Sequence, residues 1–211
     1  TEEWSFLNYH KDTLRRPDPT WLFNRDELNE IAIIYFKLQR DATPTGCDLK
    51  QELPSKHFSN VLHKAFGMAD DSLVERIFSA LDSITSSVPL KNWISAMSLF
   101  LRGSLKQKIS FCFKVYDTSG KNEIRREQMI NLMKKFVFKH QDEDVDEAVK
   151  DLVDIIIKKM DIDKDGIISF EDYKESVSKE PMLLECFGQC LPDRKHVYAF
   201  MITFTDKIKD M

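Results

Sequence analysis

Three carboxylates stand at alternate positions in one short run of the chain. Asp161, Asp163 and Asp165 are followed at once by Gly166, and a further carboxylate, Asp172, closes the run. Calcium is a hard cation that takes six to eight oxygen ligands, and carboxylates at this spacing supply both the oxygens and the negative charge. These residues therefore predict a metal site.

The twelve residues from Asp161 to Asp172 match the EF-hand calcium loop at nearly every diagnostic position. Gly166 stands at position six, where a positive φ turns the chain back around the ion. The backbone carbonyl at position seven and the side chain at position nine add oxygens, the latter directly or through water. The predicted ligands are Asp161, Asp163, Asp165, Ile167, Ser169 and Asp172.

Position twelve departs from the usual pattern because Asp172 stands where the loop normally has Glu. The side chain is one methylene shorter, so bidentate ligation of the ion is harder to reach. We expect weaker calcium binding than in a loop that ends in Glu, and competition from Mg²⁺.

A second segment of the same length, 117–128, has a damaged ligand set. Lys121 puts a cation at position five, and neutral Gln128 replaces the carboxylate at position twelve. A cation among the ligands repels Ca²⁺, so we predict that this loop is empty. The ligand-type residues that it retains are Asp117, Ser119 and Glu123.

Two earlier stretches look like further degenerate hands. The stretch 82–89 has one acid followed by hydroxyl side chains, and 41–54 carries Pro44, Gly46 and Asp48 without the ligand register. We therefore expect one Ca²⁺ per chain, in loop 161–172, with Mg²⁺ as a competitor.

Helices must flank such loops, and apolar residues at three-four spacing predict them in segment after segment. Asn24 with Glu27 predicts a capping box, and Pro54 and Pro89 suit helix starts. Helix pairs joined by loops recur at intervals of about 36 to 44 residues, which indicates a repeated helix–loop–helix unit. The fold class predicted is all-α, with two lobes of paired EF-hands and extra helical segments at both ends.

The predicted boundaries follow from this repeat. Trp4, Phe6, Trp21 and Phe23 give the N-terminal arm two possible roles, as an anchor for a partner or as a cover for the first helix pair. The predicted segments are an arm over 1–23, an N-terminal lobe over 24–103, a C-terminal lobe over 104–180 and a helical tail over 181–211.

Composition excludes several classes of protein. Lys plus Arg number 31 and Asp plus Glu number 35, so the net charge of -4 argues against a nucleic-acid binder. Four cysteines are too few for a secreted disulfide framework. Cys186 and Cys190 lack further zinc ligands at the usual spacing. No apolar run is long enough for a membrane span, and we expect no membrane anchor. Scattered histidines, without a nucleophile elbow or a phosphate loop, argue against an enzyme.

Two apolar stripes suggest partner surfaces. A calcium-loaded helix pair can expose a groove that accepts an amphipathic helix, although a stripe at helical spacing can equally be core. Candidate groove residues are Met97, Phe100, Met129, Met133 and Phe136. In the tail, Val197, Phe200, Met201, Phe204 and Ile208 form a stripe that we expect to pack into the C-terminal groove or to reinforce a partner contact.

Several segments resemble the neuronal-calcium-sensor superfamily, and within it the axonemal, calaxin-like EF-hand proteins. They are His57–Met68, Ser98–Leu105, Val115–Asp117 and Pro181–Asp193, together with the Asp that closes the last loop. The resemblance implies a calcium-responsive protein of motile cilia and flagella, located in the cytoplasm on the axonemal cytoskeleton. Its implied partners are outer-arm dynein and coiled-coil docking proteins, beside the tubulin of the doublet microtubule.

Members of that group are expected to have three competent loops, whereas only 161–172 keeps its ligands here. This difference favours an adaptor with a residual calcium response. The alternative is a cytosolic calcium-sensor subunit that regulates an enzyme or a channel.

Overall fold

The computed structural model describes residues 1–42, 50–68, 70–81, 87–137 and 143–204. Within the helices that border the last gap, the side chains of 135–137 and 143–145 are not described. The predicted all-α class is confirmed, since helices dominate and the strands are only two or three residues long.

The elements follow one another in the order expected for successive helix–loop–helix units. The helices are α1 (Glu2–Tyr9), α2 (Lys11–Arg15), α3 (Arg25–Ala42), α4 (Ser55–Phe66), α5 (Asp71–Ala80), α6 (Leu90–Arg102), α7 (Leu105–Tyr116), α8 (Arg126–Val137), α9 (Glu143–Met160), α10 (Phe170–Lys179) and α11 (Arg194–Met201), with a 3₁₀ helix at Pro181–Glu185. The strands are β1 (Leu53–Pro54), β2 (Ser87–Val88), β3 (Glu123–Arg125) and β4 (Ile167–Ser169).

Helix starts agree with the capping residues in the sequence. The backbone N–H of Glu27 donates to Asn24 Oδ1 at 2.9 Å, and the N–H of Asn24 donates to Glu27 Oε2 at 2.9 Å, so the predicted capping box is formed. Ser104 and Gln107 form a second box at the start of α7. Pro54 and Pro89 directly precede α4 and α6.

Compact packing divides the chain into two units. Unit 1 contains 1–69, 81–103 and 192–211, and unit 2 contains 70–80 and 104–191. This division differs from the predicted boundaries, because 70–80 groups with the C-terminal hands and the tail is split at residue 192. The reason is packing, since α5 lies against α7 whereas α11 lies against α4 and α6.

Unit 1 has an aromatic core. Tyr35 connects its short strands, because the hydroxyl donates to Val88 O at 2.7 Å and accepts from Leu53 N at 3.0 Å. Of the arm residues, Phe6 and Trp21 are buried and Trp4 is exposed, so the arm largely covers this core. The largest fully buried side chains among the described residues of unit 1 are Phe6, Tyr35, Phe36, Phe58, Phe66, Trp93 and Phe100.

The C-terminal tail also packs in unit 1. Phe200 lies 5.0 Å from Phe66 between ring centroids, and Phe204 lies 6.1 Å from Phe23. The expectation that the tail fills a groove of the C-terminal lobe was therefore wrong for the described part, up to residue 204. Ile208 lies outside the described residues.

Unit 2 holds both complete hands of the C-terminal pair. Tyr116 of α7 and Tyr173 of α10 are fully buried. Tyr116 donates to Gly188 O at 2.5 Å, and Tyr173 donates to Leu184 O. These two bonds attach the segment 181–191 to the helix pair that it follows.

Candidate metal centre

Loop 161–172 lies between two helices of unit 2. Helix α9 ends at Met160, β4 contains the middle of the loop, and α10 begins at Phe170. The loop is thus held at both ends by helices that bury apolar side chains, among them Met160 and Val177.

The structure brings together the first three predicted ligands. Carboxylate oxygens of Asp161, Asp163 and Asp165 lie within 4.8 Å of one another, with Asp161 half-buried and the other two exposed. Asp161 organises the turn, since Oδ1 accepts from Asp165 N at 3.2 Å and Oδ2 accepts from Gly166 N at 2.9 Å. Gly166 has φ +83°, as its predicted role requires.

The pKa of Asp163 is raised above its ordinary value, in part by the neighbouring carboxylates. A hydrogen bond from the backbone N–H of Asp165 lowers its pKa, but desolvation and the charges of Asp165 and Asp172 outweigh that bond and leave the pKa raised. Like charges at this separation destabilise the ionised state. A cation between them removes this repulsion, so the three carboxylates fit a hard divalent ion.

The last two predicted side-chain ligands bind each other. Asp172 is only 6% exposed. Its Oδ2 accepts from Ser169 N at 3.1 Å and Ser169 Oγ at 2.5 Å, and its Oδ1 accepts from Ile162 N at 3.3 Å. Ser169 Oγ in turn accepts from Asp172 N, which completes a capping box at the start of α10. Both carboxylate oxygens therefore already hold the loop together.

Loop 117–128 has the same backbone shape as loop 161–172. Gly120 and Asn122, at positions four and six, have φ +67° and +59°, while Lys164 and Gly166 have φ +64° and +83°. Asn tolerates the left-handed region better than most side chains, which allows it to replace the usual Gly. The degenerate loop has thus lost ligands without losing its conformation.

Hydrogen bonds occupy the carboxylate of Asp117, the first residue of this loop. Oδ1 accepts from Ser119 N at 3.1 Å, Ser119 Oγ at 2.9 Å and Gly120 N at 2.8 Å, and Oδ2 accepts from Asn122 N at 2.7 Å. Glu123 instead forms an ion pair with Arg125 at 2.7 Å. The three retained ligand-type residues are all engaged within the loop.

Gln128 is the residue of this loop that sequence reasoning missed. The sequence indicated only that Gln128 replaces a ligand. In the structure, Gln128 Oε1 accepts from Arg125 N at 2.7 Å and Gln128 Nε2 donates to Thr118 Oγ1 at 2.6 Å. The signal available was the capping-box spacing between positions nine and twelve.

The two loops are paired through their short strands. Ile124 of β3 lies opposite Ile168 of β4 in an antiparallel pair, and both side chains are completely buried. Backbone hydrogen bonds and this apolar contact therefore hold the two loops together.

Other predicted features are either outside the described residues or buried. Residues 43–49 and 82–86, which include most of the two earlier degenerate loops, are outside the described residues. Of the groove candidates, Met97, Phe100, Met129 and Met133 are buried, at 0 to 2% exposure, so they line no open groove in this structure. The side chain of Phe136 is outside the described part.

The fold and the loop geometry define a calcium-binding protein of the EF-hand class. In agreement, residues 106–178 match the EF-hand domain pair family. Calaxin from Xenopus laevis is 39% identical over 180 residues, covering 84% of this chain and 86% of that protein. Calaxin from Homo sapiens is 42% identical over 180 residues, covering 84% of each. The chain belongs to the calaxin family.

A more distant relative belongs to a different functional group. Guanylyl cyclase-activating protein 1 from Lithobates pipiens is 30% identical over 140 residues, covering 66% of this chain and 67% of that protein. Among the described residues, no helix combines the length and the apolar character needed to cross a membrane.

Proposed function

We propose that this protein is a calcium-responsive adaptor of motile cilia and flagella that helps to attach outer-arm dynein to doublet microtubules. The observation that carries the proposal is its membership of the calaxin family, with 39 to 44% identity to five calaxins. Coiled-coil docking proteins are the proposed direct partners, in the cytoplasm along the axoneme. The role is one of binding, with no catalytic step.

The calcium response is assigned to a single site. Asp161, Asp163 and Asp165 supply the carboxylates, with the Ile167 carbonyl, Ser169 and Asp172 completing the set. When bound, the ion neutralises the clustered charge of these side chains. Because Asp172 and Ser169 hold each other at the start of α10, ligation by either costs their mutual hydrogen bonds. Weak calcium binding with Mg²⁺ competition follows from that cost.

A surface of unit 2 suits a partner helix better than the buried methionines do. An open cavity of about 480 Å³ lies between α7 and α10. Leu105 is 39% exposed at its edge and Lys106 adds positive charge, whereas Lys174 is paired with Glu171 at 2.8 Å. Apolar walls with a basic edge at Lys106 complement an amphipathic helix that has acidic residues beside its apolar stripe. We assign this groove, α7–α10, to the docking proteins.

A reconstitution experiment tests the adaptor role. Purified outer-arm dynein and doublets bearing docking proteins are sedimented with or without this chain, in EGTA or in micromolar free Ca²⁺. We expect the chain to co-sediment and to increase the dynein retained in both conditions, with a modest calcium effect. Failure of the chain to bind the doublets would reject the adaptor role.

Matched variants test the groove and the calcium site. Leu105→Glu should abolish binding to the docking proteins, whereas Leu152→Glu should not, because Leu152 is equally exposed at 38% but lies on α9. Asp163→Asn should remove the calcium effect alone. Equal losses for both leucine variants would exclude the assignment of the groove.

A second candidate is a calcium-sensor subunit that regulates an enzyme or channel, which the similarity to guanylyl cyclase-activating protein 1 favours. This role requires partner binding that changes strongly with calcium. The same sedimentation assay separates the two candidates, since a sensor subunit would not retain dynein in EGTA.

A further inference from the structure

Two buried cysteines touch each other in unit 2, although 78 positions separate them in the sequence. Cys112 lies on α7 and Cys190 lies in the segment that follows the 3₁₀ helix. Their Sγ atoms are 3.1 Å apart, and both side chains are completely inaccessible to solvent. A disulfide bond is about 2.05 Å long, so a shift of about 1 Å would join them.

The surroundings hold Cys190 in this position. Its backbone N–H donates to Glu185 Oε1 at 2.9 Å, and the N–H of Leu191 donates to the same oxygen at 2.8 Å. The Tyr116 hydroxyl lies 3.4 Å from Cys190 Sγ. The backbone and the side chain of Cys190 are therefore both fixed facing α7.

The third described cysteine provides a contrast. Cys186 is half-buried, and its Sγ lies 3.9 Å from Met160 Sδ, a thioether that cannot form a disulfide. Burial raises the pKa of Cys186 to about 12, so this thiol holds little thiolate at neutral pH, and it has no other thiol beside it in the described structure. Cys47 is outside the described residues.

We propose that Cys112 and Cys190 form a reversible disulfide in response to a low-molecular-weight disulfide such as oxidised glutathione. One thiolate attacks the glutathione disulfide, forming a mixed disulfide and releasing one glutathione thiolate. The second cysteine, as thiolate, then attacks the protein sulfur and releases the other glutathione. Two protein thiols are oxidised, two glutathione thiols are produced, and the two protons pass to the released thiolates.

Burial makes the reaction slow. Burial is the main cause that holds the pKa of Cys112 well above its ordinary value, and the hydrogen bond with Cys190 raises it further. Little thiolate is therefore present at neutral pH. Glutathione disulfide also cannot reach either sulfur until the segment 181–191 separates from α7. The rate of oxidation therefore reports how often that segment opens. After one cysteine has reacted, the proximity of the two sulfurs favours the Cys112–Cys190 disulfide over the mixed disulfide.

The cross-link would join α7 to the end of unit 2. Helix α7 precedes the degenerate loop, while 181–191 follows α10, the helix after the metal loop. A bond that closes a loop of this length reduces the freedom of the unfolded chain and raises stability. Oxidation would thus lock the C-terminal hand pair against opening.

The test uses the purified full chain in glutathione redox buffers under native conditions. Free thiols are then trapped by alkylation, and the cross-linked peptides are mapped by mass spectrometry. We expect a Cys112–Cys190 peptide and a rise in the unfolding midpoint of roughly 5–15 °C, both reversed by dithiothreitol. Cys186→Ser should behave like the wild type, whereas Cys112→Ser and Cys190→Ser should form no cross-link.

The mapping of the wild-type chain alone decides the proposal, so a variant that fails to fold does not affect the conclusion. Recovery of Cys112 and Cys190 as free thiols at the most oxidising poise, with glutathione on Cys186 only, would overturn it. A dominant cross-link to Cys47 or Cys186 would also overturn it.

Discussion

Gln128 and Asp172 close their two loops in the same way, although only Asp172 is a carboxylate. Each side chain accepts the backbone N–H of the residue at position nine, Arg125 or Ser169, and also bonds the residue at position two. Position twelve therefore maintains loop shape in both hands. We expect replacement of the usual Glu to weaken the metal site, while the pairing of the two loops is intact.

A second calcium site should be restorable in the degenerate loop. The double substitution Lys121→Asp and Gln128→Glu supplies carboxylates at positions five and twelve, and the positive φ values of Gly120 and Asn122 already give the required turn. We expect calorimetry to show the stoichiometry increasing from one Ca²⁺ to two.

Two single substitutions are the controls for that experiment. Gln128→Glu alone should leave one site, because the Lys121 ammonium still repels the ion. Asp161→Ala in the wild-type chain should remove the site that we propose in loop 161–172. A stoichiometry that stays at one in the double variant would show that the loop shape does not suffice.

Lengthening the last ligand should strengthen the existing site. Asp172→Glu adds the methylene needed for bidentate ligation, and we expect calcium affinity to rise about tenfold, equal to about 1.4 kcal/mol. Competition by Mg²⁺ should fall, because Mg²⁺ prefers compact octahedral shells. Competitive calorimetry measures both. Unchanged affinity and unchanged competition would mean that the Ser169–Asp172 bonds do not limit ligation.

Two glycines with the same φ of +67° allow backbone strain to be separated from packing. Gly120→Ala should lower the free energy of unfolding by about 1–2 kcal/mol, which is the cost of placing Ala at a positive φ. No packing cost is added, because a Cβ there would meet nothing within 4 Å. Gly67→Ala should cost more, since its Cβ would lie 2.5 Å from Cε1 of His196. Urea denaturation gives both free energies of unfolding.

A double-mutant cycle identifies the source of the extra cost at Gly67. In a His196→Ala background, Gly67→Ala should cost about as much as Gly120→Ala, because the clashing ring of α11 is gone. Persistence of the full cost in that background would contradict the contact between the tail and α4.

Glu185 should give the protein a pH-dependent component of stability. Burial raises its pKa, and the hydrogen bonds from the backbone N–H of Leu191 and Cys190 only partly oppose that effect. The folded state therefore binds the proton more tightly than the unfolded chain. This contribution to the free energy of unfolding is fully present below the ordinary Glu pKa, near 4.5, and is lost as pH rises through the raised value.

The substitution Glu185→Gln tests that sign. The amide oxygen can still accept the two N–H groups, but it carries no charge to desolvate. Relative to the wild type, the variant should gain stability as pH increases from about 4.5 to 7. Denaturant unfolding at several pH values measures this, and a constant difference across the range would refute the explanation.

Local patterns predicted much of the fold. The capping box of Asn24 and Glu27, the glycine turn at Gly166 and the alternation of Asp161, Asp163 and Asp165 all depend on residues within a few positions of one another. Such features can be recognised in the sequence because each interaction requires particular residue types at a fixed, short spacing.

Features that depend on tertiary packing were not predictable in the same way. A stripe such as Met129 and Met133 shows that a helix has an apolar face but not whether another element covers it. The contact between Cys112 and Cys190 joins residues 78 positions apart. The tail stripe likewise required a surface, and the sequence could not distinguish the α4–α6 surface from the C-terminal hands.

Unit 1 takes residues from both ends of the chain, whereas the larger part of unit 2 is the single stretch 104–191. The contacts that Phe66 and Gly67 make with α11 close a loop that contains the whole stretch 104–191. Because the entropic cost of loop closure rises with loop length, we expect these contacts to form late in folding, after the hands of unit 2.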